Sequence, residues 1–317
     1  MSPLKAGRMV AVLGAATVDW TARVRDFPPI DGIAFVEQYQ AFTGGSGGNV
    51  AEGLMRLGFD VSFLGKLGED EGGRMLQRAF QEVGVNTRGI RIEKGGRSAA
   101  CFIAVDGKGQ RAIYALGGVA LLETPEEVCV DCLVHSDLLY IADAFPAVSL
   151  TAIDNLPEKA RVVFGPGGLM VSAGYEYLRP VLEKTDVLIL NQVEAKHLTN
   201  QENMEKAGME LLSCGPKIIF LTLGAKGVIV AQNDSFIFIP AEDVPEVADT
   251  TGAGDAFSTG VVAGMLEGLG WEDCARLGCK IAACKIGHMG SRVGLPDRKI
   301  IMPWLDARTG KARKVKS

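Results

Sequence analysis

Histidine is scarce in this sequence, with three among 317 residues, and His135, His197 and His288 fall in no metal-ligand spacing. No HExxH stretch occurs, which removes the usual zinc-hydrolase helix, and the HRD triplet of protein kinases is missing. A P-loop is missing too. Lys66, Lys108 and Lys311 each follow a glycine, but none precedes Ser or Thr. The first apolar segment carries Gly14 alone where a dinucleotide fingerprint needs three glycines. No uninterrupted apolar run approaches the roughly 18 residues of a membrane span. The stretch "MSPLKAGRMVAVLGAATVDW" lacks the apolar core of a secretory leader, and Lys5 and Arg8 stand just ahead of a plain strand. A cytoplasmic protein is the expectation.

Positive charge is also in deficit. A net charge of −5 and a pI near 5.4 leave no basic face for nucleic acid or an anionic membrane. Seven cysteines are an odd, scattered set, unlike a secreted disulfide framework. Cys129 and Cys132 form the one CxxC, with no second CxxC or His pair beside it, so metal or redox use is the disfavoured reading. Cys274, Cys279 and Cys284 recur every five residues, a spacing that drifts around a helix and gathers no ligands on one face. They read as core thiols. A chain with 47% hydrophobic and 22% charged residues has the composition of an ordinary soluble globular protein.

What is present alternates. "MVAVLGAATVDW" reads as a buried strand, and "GGSGGNVAEGLMRLGF" as a helix with Val50, Leu54 and Leu57 on one stripe and Gly58 as its stop. "VSFLGKLG" is a second strand and "EDEGGRMLQRAFQEVGV" a second helix. "DLLYIAD", "ARVVFGP", "TDVLILN" and "KIIFLTLG" are short apolar strands with helical segments between them. This order predicts an α/β fold: three layers, with a mostly parallel sheet covered on both faces. One domain spans 1–317, and the basic tail "KARKVKS" reads as frayed. Two regions break the rhythm, about 20–43 and 96–118. Both alternate like β-strands, and the second holds a Gly107-Lys108-Gly109 turn signal. They are expected to form a small β-sheet lid beside Gly44-Gly45, with extra edge strands of the main sheet as the rival.

Four local patterns carry chemistry. "GGSGGNVA" offers backbone donors and the Asn49 amide, suited to sugar hydroxyls. It also matches GxSxG literally, but five small residues in a row make a flexible cradle and not a strained nucleophile elbow. "NQVEA" places Asn191 and Glu194 at a strand end and in a first helical turn, where α/β sheets bind ligands, although such a Glu also merely complements a helix dipole. "TLGAKG", from Thr222 to Gly227, follows another strand in the same way. "DTTGAGDAF" is poor helix and poor strand material just ahead of a helical run. Gly252 and Gly254 allow close backbone approach, and N–H groups at a helix N-terminus suit an anion. Asp255 then either caps the helix or handles a proton.

GGSGGN, "GKLGEDEGG", NQVE, TLGAKG and above all DTTGAGDAF resemble the successive signatures of the ribokinase, or PfkB, family of carbohydrate and nucleoside kinases, from about residue 10 to about 300. The resemblance implies an α/β sandwich with a β-lid and phosphorylation of a hydroxymethyl group by ATP with Mg²⁺. It implies Asp255 as catalytic base and Gly252-Ala253-Gly254 as anion hole. Asn191 and Glu194 would lie near Mg²⁺ and phosphates, Glu194 reaching the metal directly or through water. Thr222, Gly224 and Gly227 would lie near the nucleotide, and Asp19, Gly45, Ser46 and Asn49 near the acceptor. Many members also bind K⁺ through Asp249, Thr251 and a C-terminal loop, here near 287–291. A homodimer through the lid is a further expectation.

The chain departs from the family in two places. Ser46 replaces the Lys of the GGKGxN form typical of ribose kinases, and the GGSxxN form is similar to fructokinases and adenosine kinases, so sugar and nucleoside acceptors both stay open. "FGPGGLM" stands where many sugar kinases have "DPNxR", which weighs against a phosphosugar or acidic sugar. Asp143 and Arg97 are weaker candidates for acceptor contact. A non-catalytic sugar-binding regulator is the alternative from another class.

Overall fold

The computed structural model describes residues 8–107, 110–233 and 235–309. Lys5, Lys108, Gly109 and the basic tail therefore lie outside the described residues. Chain order runs β1 (Met9–Leu13), β2 (Thr17–Val24), β3 (Val36–Gly44), α1 (Ser46–Arg56), β4 (Asp60–Gly68), α2 (Glu71–Val83), β5 (Asn86–Glu93), β6 (Ala100–Val105) and β7 (Arg111–Ala115). It continues with β8 (Leu138–Ile141), α3 (Pro146–Asp154), β9 (Arg161–Phe164), α4 (Gly167–Val171), α5 (Tyr175–Leu182), β10 (Val187–Asn191), α6 (Gln192–Thr199), α7 (Met204–Leu212) and β11 (Ile218–Thr222). The last elements are β12 (Gly227–Gln232), β13 (Ser235–Pro240), α8 (Ala253–Glu267), α9 (Trp271–Ile286) and α10 (Arg298–Thr309).

The short apolar runs become one nine-stranded sheet in the order β13-β12-β11-β10-β9-β8-β1-β4-β5. Strands β11 through β5 in that order pair in parallel, and only β12 and β13 pair antiparallel. Continuous burial of β8, β10 and β11 up to their last residues is what a parallel sheet covered on both faces demands. Helices α1, α2, α8, α9 and α10 close one face around Leu54, Phe80, Val261 and Ile281. Helices α3 to α7 close the other around Val148, Leu178, Leu198 and Leu211. A Cβ on Gly260 would lie 2.5 Å from Gly278 Cα, so α8 and α9 meet backbone to backbone. No helix among the described residues is long and apolar enough to cross a membrane.

The alternating regions form a separate four-stranded sheet, β3-β2-β6-β7, in which β2 pairs parallel with β6 and the other pairs are antiparallel. Here the sequence reading needs a correction. "MVAVLGAATVDW" is two strands, not one. β1 ends at Leu13, Gly14 still donates to Leu64 O at 3.1 Å, and β2 begins in the small sheet at Thr17. Both halves are apolar and mostly buried, so composition does not mark the change of sheet. Asp19 therefore sits near the start of the small sheet's inner strand, not at the end of a main-sheet strand.

Candidate active site

Strand β1 lies between β8 and β4, with the chain running outward from it in both directions. Such a reversal opens a crevice at the strand C-termini. Into it come α1, the loop after β8, the start of α6 and the start of α8.

Helix α8 begins at Ala253 because Gly252 takes φ 78°, ψ 5°, a left-handed turn that only glycine adopts without strain. Space forbids a side chain there as well, since a Cβ on Gly252 would lie 2.4 Å from Ser291 O. The first intrahelical bond runs from Ala256 N to Gly252 O at 2.9 Å, so the N–H groups of Gly254 and Asp255 belong to the unpaired first turn. Gly254 is exposed. The turn thus presents N–H groups and dipole to the crevice, and Asp255 follows one residue on.

Asp255 does not cap its own helix with its side chain. Its Oδ2 instead accepts from Asn49 Nδ2 at 2.7 Å. Asn49 Oδ1 accepts from Arg292 Nε at 3.0 Å, and the same guanidinium reaches Gly44 O at 2.6 Å and Glu52 Oε2 at 3.3 Å. Arg292 is 4% exposed and lies over the Phe80 ring. Burial pushes the Asp255 carboxyl up to about 6. The Asn49 amide opposes that rise, the charges of Asp143 and Asp19 add to it, and Arg292 pulls it back. A carboxyl so held takes up and releases its proton closer to neutral pH than a free one does.

Asp19 is buried, with Oδ1 accepting from Thr17 Oγ1 at 2.9 Å and Oδ2 from Ser291 Oγ at 3.4 Å. Burial raises its carboxyl, Thr17 and Arg292 lower it. Gly44 ends β3, Gly45 alone separates it from α1, and Ser46 opens the helix. Burial likewise pushes Asp143 up to about 6, with the Ser46 hydroxyl resisting and the Glu194 charge adding. Arg97 precedes Ser98, whose N–H and hydroxyl bind Asp70. That places Arg97 at the root of the small sheet.

Asn191 and Glu194 make a reciprocal capping box: Asn191 Oδ1 accepts from Val193 N and Glu194 N at 2.9 Å, and Glu194 Oε2 accepts from Asn191 N at 2.9 Å. Burial raises Glu194, the Asn191 N–H lowers it, and the Asp255 charge raises it further. Beyond the start of α8 lies a cavity of about 420 Å³ whose walls include Thr222, Gly224, Gly227, Thr250, Ala253 and Gly254. The three residues expected near a nucleotide and the end of the glycine turn thus share one cavity. Phe257, Ala282, Ala283 and Ile286 add apolar lining, with Glu242 and Asp243 among the polar part of the wall, the mixture that small-molecule sites commonly show.

Asp249 is 6% exposed. Its Oδ1 accepts from Thr251 N at 2.8 Å and Oδ2 from Gly290 N at 2.9 Å. Its carbonyl accepts from Lys285 Nζ at 2.7 Å, and the Thr251 hydroxyl accepts from Arg111 Nη1 at 3.0 Å. Burial lowers the Lys285 ammonium to about 8 while Asp249 pulls it up.

Lys285, Arg292 and Arg111 are the residues that sequence reasoning missed. The one signal for Lys285 is a second lysine, five residues after Lys280, near the end of the apolar run "KIAACKIG", and the loop "GSRVG" gives none for Arg292. Cys129 and Cys132 lie in a short 3-10 turn against the core, with Cys132 N donating to Cys129 O at 3.0 Å. Burial pushes the Cys132 thiol up to about 12. Among the described residues no group of three His, Cys, Asp or Glu side chains is placed to hold a metal.

The sequence matches the pfkB family of carbohydrate kinases over residues 8–298. The chain belongs to that family. This pfkB kinase is 31% identical over 288 residues to the ATP-dependent ribose-1-phosphate kinase of Halopiger xanaduensis, covering 90% of this chain and 94% of that one. It is 26% identical to the ribokinase of Haemophilus influenzae, covering 94% and 99%. The fold is shared with Arabidopsis thaliana ribokinase complexed with ribose and ATP, at a TM-score of 0.83 and 23% identity over 95% of this chain and 99% of that one. It is shared also with Burkholderia thailandensis nucleoside kinase in complex with inosine, at 0.79 and 22% over 96% and 99%. As a pfkB kinase the protein is an ATP-dependent phosphotransferase that acts on a sugar or nucleoside.

Proposed function

We propose that the chain transfers the γ-phosphoryl group of ATP to a hydroxymethyl group of a small sugar, with Asp255 as general base. The observation that carries this reading is the position of Asp255. Its carboxylate joins the Asn49–Arg292 network on one side, and the glycine turn before it borders the cavity holding Thr222, Gly224 and Gly227 on the other. An acceptor hydroxyl held by Asp19 and Asn49 then meets a phosphoryl group held at the α8 N-terminus. Asp255 takes the hydroxyl proton, the oxygen bonds to the γ-phosphorus, and ADP leaves with the bridging oxygen. Gly252, Ala253 and Gly254 would supply the N–H groups that hold the charge of the moving phosphoryl.

One carboxylate, Glu194, fits Mg²⁺ here, since among the described residues no three acids are placed around one ion. Asp255 raises Glu194, Glu194 raises Asp143 and Asp143 raises Asp255, so the crevice is short of positive charge before a triphosphate arrives. Glu194 and water would hold the ion together with phosphate oxygens, as Mg²⁺ prefers. Bound there, it would neutralise phosphate charge. The β3 and β7 faces expose Val36, Tyr39, Ile113 and Tyr114, which suits a lid that pairs with a second copy of the chain.

A nucleoside acceptor is the second reading, because the Ser46 form of GGSGGN leaves it open. The ribose-1-phosphate kinase relative brings phosphosugars into consideration despite "FGPGGLM". The test is ADP release, coupled and followed over pentoses, hexoses, their phosphates and nucleosides with Mg²⁺. Turnover on sugars supports the first reading and turnover on nucleosides alone the second. No ADP release with any acceptor, alongside measurable sugar binding, would leave a binding regulator.

A further inference from the structure

We propose that Lys285 is a tethered monovalent cation: its ammonium fills the oxygen cradle beside the glycine turn where the family resemblance expects K⁺, and frees the enzyme from any need for that ion. The activity arm of this proposal rests on the kinase reading above.

The cradle is made of oxygens that a free cation would use. Asp249 O and His288 O accept from Lys285 Nζ at 2.7 and 3.3 Å, and Asp249 Oδ2 lies 3.9 Å away. Carbonyl rings of this kind replace the hydration shell of K⁺ in other settings, and an ammonium is close to K⁺ in size and charge. The remaining expected ligands are engaged as well. Both Asp249 carboxylate oxygens accept backbone N–H groups, from Thr251 and Gly290, and Thr251 Oγ1 accepts from Arg111. A K⁺ entering here would have to displace a protein cation from oxygens it already satisfies. Lys285 is 0% exposed, and a buried ammonium persists only where such oxygens pair it.

The position gives the charge a task. Lys285 is the penultimate residue of α9, and the N–H groups of Ala248 and Asp249 bond the O of Ile286, its last residue, at 2.8 and 3.1 Å. The strap 248–251 thus hangs from the end of α9 and leads directly into Gly252. A cation bound to Asp249 O holds the strap, and with it the N–H groups of the α8 turn, in place. A side chain that served only the helix dipole of α9 would have no such effect on turnover.

Two substitutions separate these roles: Lys285→Ala, which opens the cradle, and Lys285→Met, which keeps it filled without charge. Ionic strength is held with tetramethylammonium chloride while KCl or NH₄Cl is titrated in. Wild-type kcat/KM is expected to stay flat. Both variants should fall by about tenfold or more, and K⁺ or NH₄⁺ should restore Lys285→Ala but not Lys285→Met. Thermal melting under the same salts should show KCl raising the Tm of Lys285→Ala alone, since an ion that binds only the folded state stabilises it. Activation of the wild type by K⁺ overturns the proposal, as does a folded Lys285→Ala that works at the wild-type rate in every salt. Should neither variant fold, the wild-type titration still decides. The melting curves need no acceptor, so they stay informative if the kinase reading itself fails.

Discussion

Asn49 joins Asp255 to Arg292, its amide nitrogen 2.7 Å from Asp255 Oδ2 and its amide oxygen 3.0 Å from Arg292 Nε. The hydrogen bonds fix which way the amide points: an Asn must donate to the carboxylate because its oxygen is already taken by a guanidinium. Asp255 is thereby aimed by a residue of α1 and, through it, by a loop near the C-terminus.

Asp255→Asn keeps the size of the side chain and removes the base. We expect kcat to fall by about 10²–10⁴-fold, the usual contribution of a positioned base. ATP binding by calorimetry should be kept or slightly tightened, because a negative charge next to the phosphate turn is gone. Turnover near the wild-type level would assign Asp255 to the helix start alone.

The pH profile follows from the raised Asp255 carboxyl. A base works only when deprotonated, so kcat/KM should decline as pH drops through about 6, and Asp255→Asn should lack that limb. Stability runs the other way. A carboxyl whose folded pKa lies above its unfolded one binds extra protons in the folded state, so its contribution falls as pH rises from about 4 to about 6. Denaturant midpoints at pH 7 should therefore be higher for Asp255→Asn than for the wild type. Equal midpoints would mean that the site's acids carry no folding penalty.

Asp19→Ala should raise the acceptor KM and leave ATP affinity almost unchanged. Unpaired sugar hydroxyls in a closed site cost about 1–3 kcal/mol. Equal loss of both affinities would show that Asp19 serves the contact between β2 and Ser291 instead.

Glu194→Gln can still accept from Asn191 N and so keeps the capping box. Its Tm should match the wild type, while the Mg²⁺ concentration for half-maximal rate should rise. Unchanged Mg²⁺ dependence would leave Glu194 as a helix cap.

Arg292→Met removes the guanidinium that donates to Glu52 Oε2 at 3.3 Å and leaves Glu52 with Arg56, which pairs with Oε1. It also strips a donor from Asn49 and one from Gly44 O. Breaking a buried ion pair from one side costs about 3–5 kcal/mol, which a urea titration would register. Loss of activity without loss of stability would instead make Arg292 purely a positioning group for Asn49.

The parallel sheet and the four motifs were legible because each rests on local chemistry: apolar runs of strand length, and glycines at a helix start. The break inside "MVAVLGAATVDW" was not, since a buried strand of one sheet and a buried strand of another have the same composition. Asp255 was legible as either cap or base, but its bond to Asn49, far away in sequence, was not. Lys285 and Arg292 escaped for a shared reason. Each is a cation in unremarkable surroundings, and its partners are backbone carbonyls or residues distant along the chain, which no pattern of residue types reveals.

Strand β2 sits between β3 and β6, with Val18 opposite Ala100 and Arg23 opposite Val105 in parallel register. The consequence concerns the order in which the chain can be completed during synthesis. The hairpin of β2 and β3 emerges first, but its inner strand keeps an open edge until β4, α2 and β5 have been made and β6 follows. Long-range parallel pairing of this sort forms late, and an open edge strand invites pairing with other chains in the meantime. The buried carboxylate of Asp19 lies on that waiting strand. A polypeptide stalled before residue 100 would hold its hairpin with both edges unpaired, where the finished sheet leaves only the β3 side of that hairpin open, and the nascent enzyme is exposed to edge-to-edge pairing in that interval.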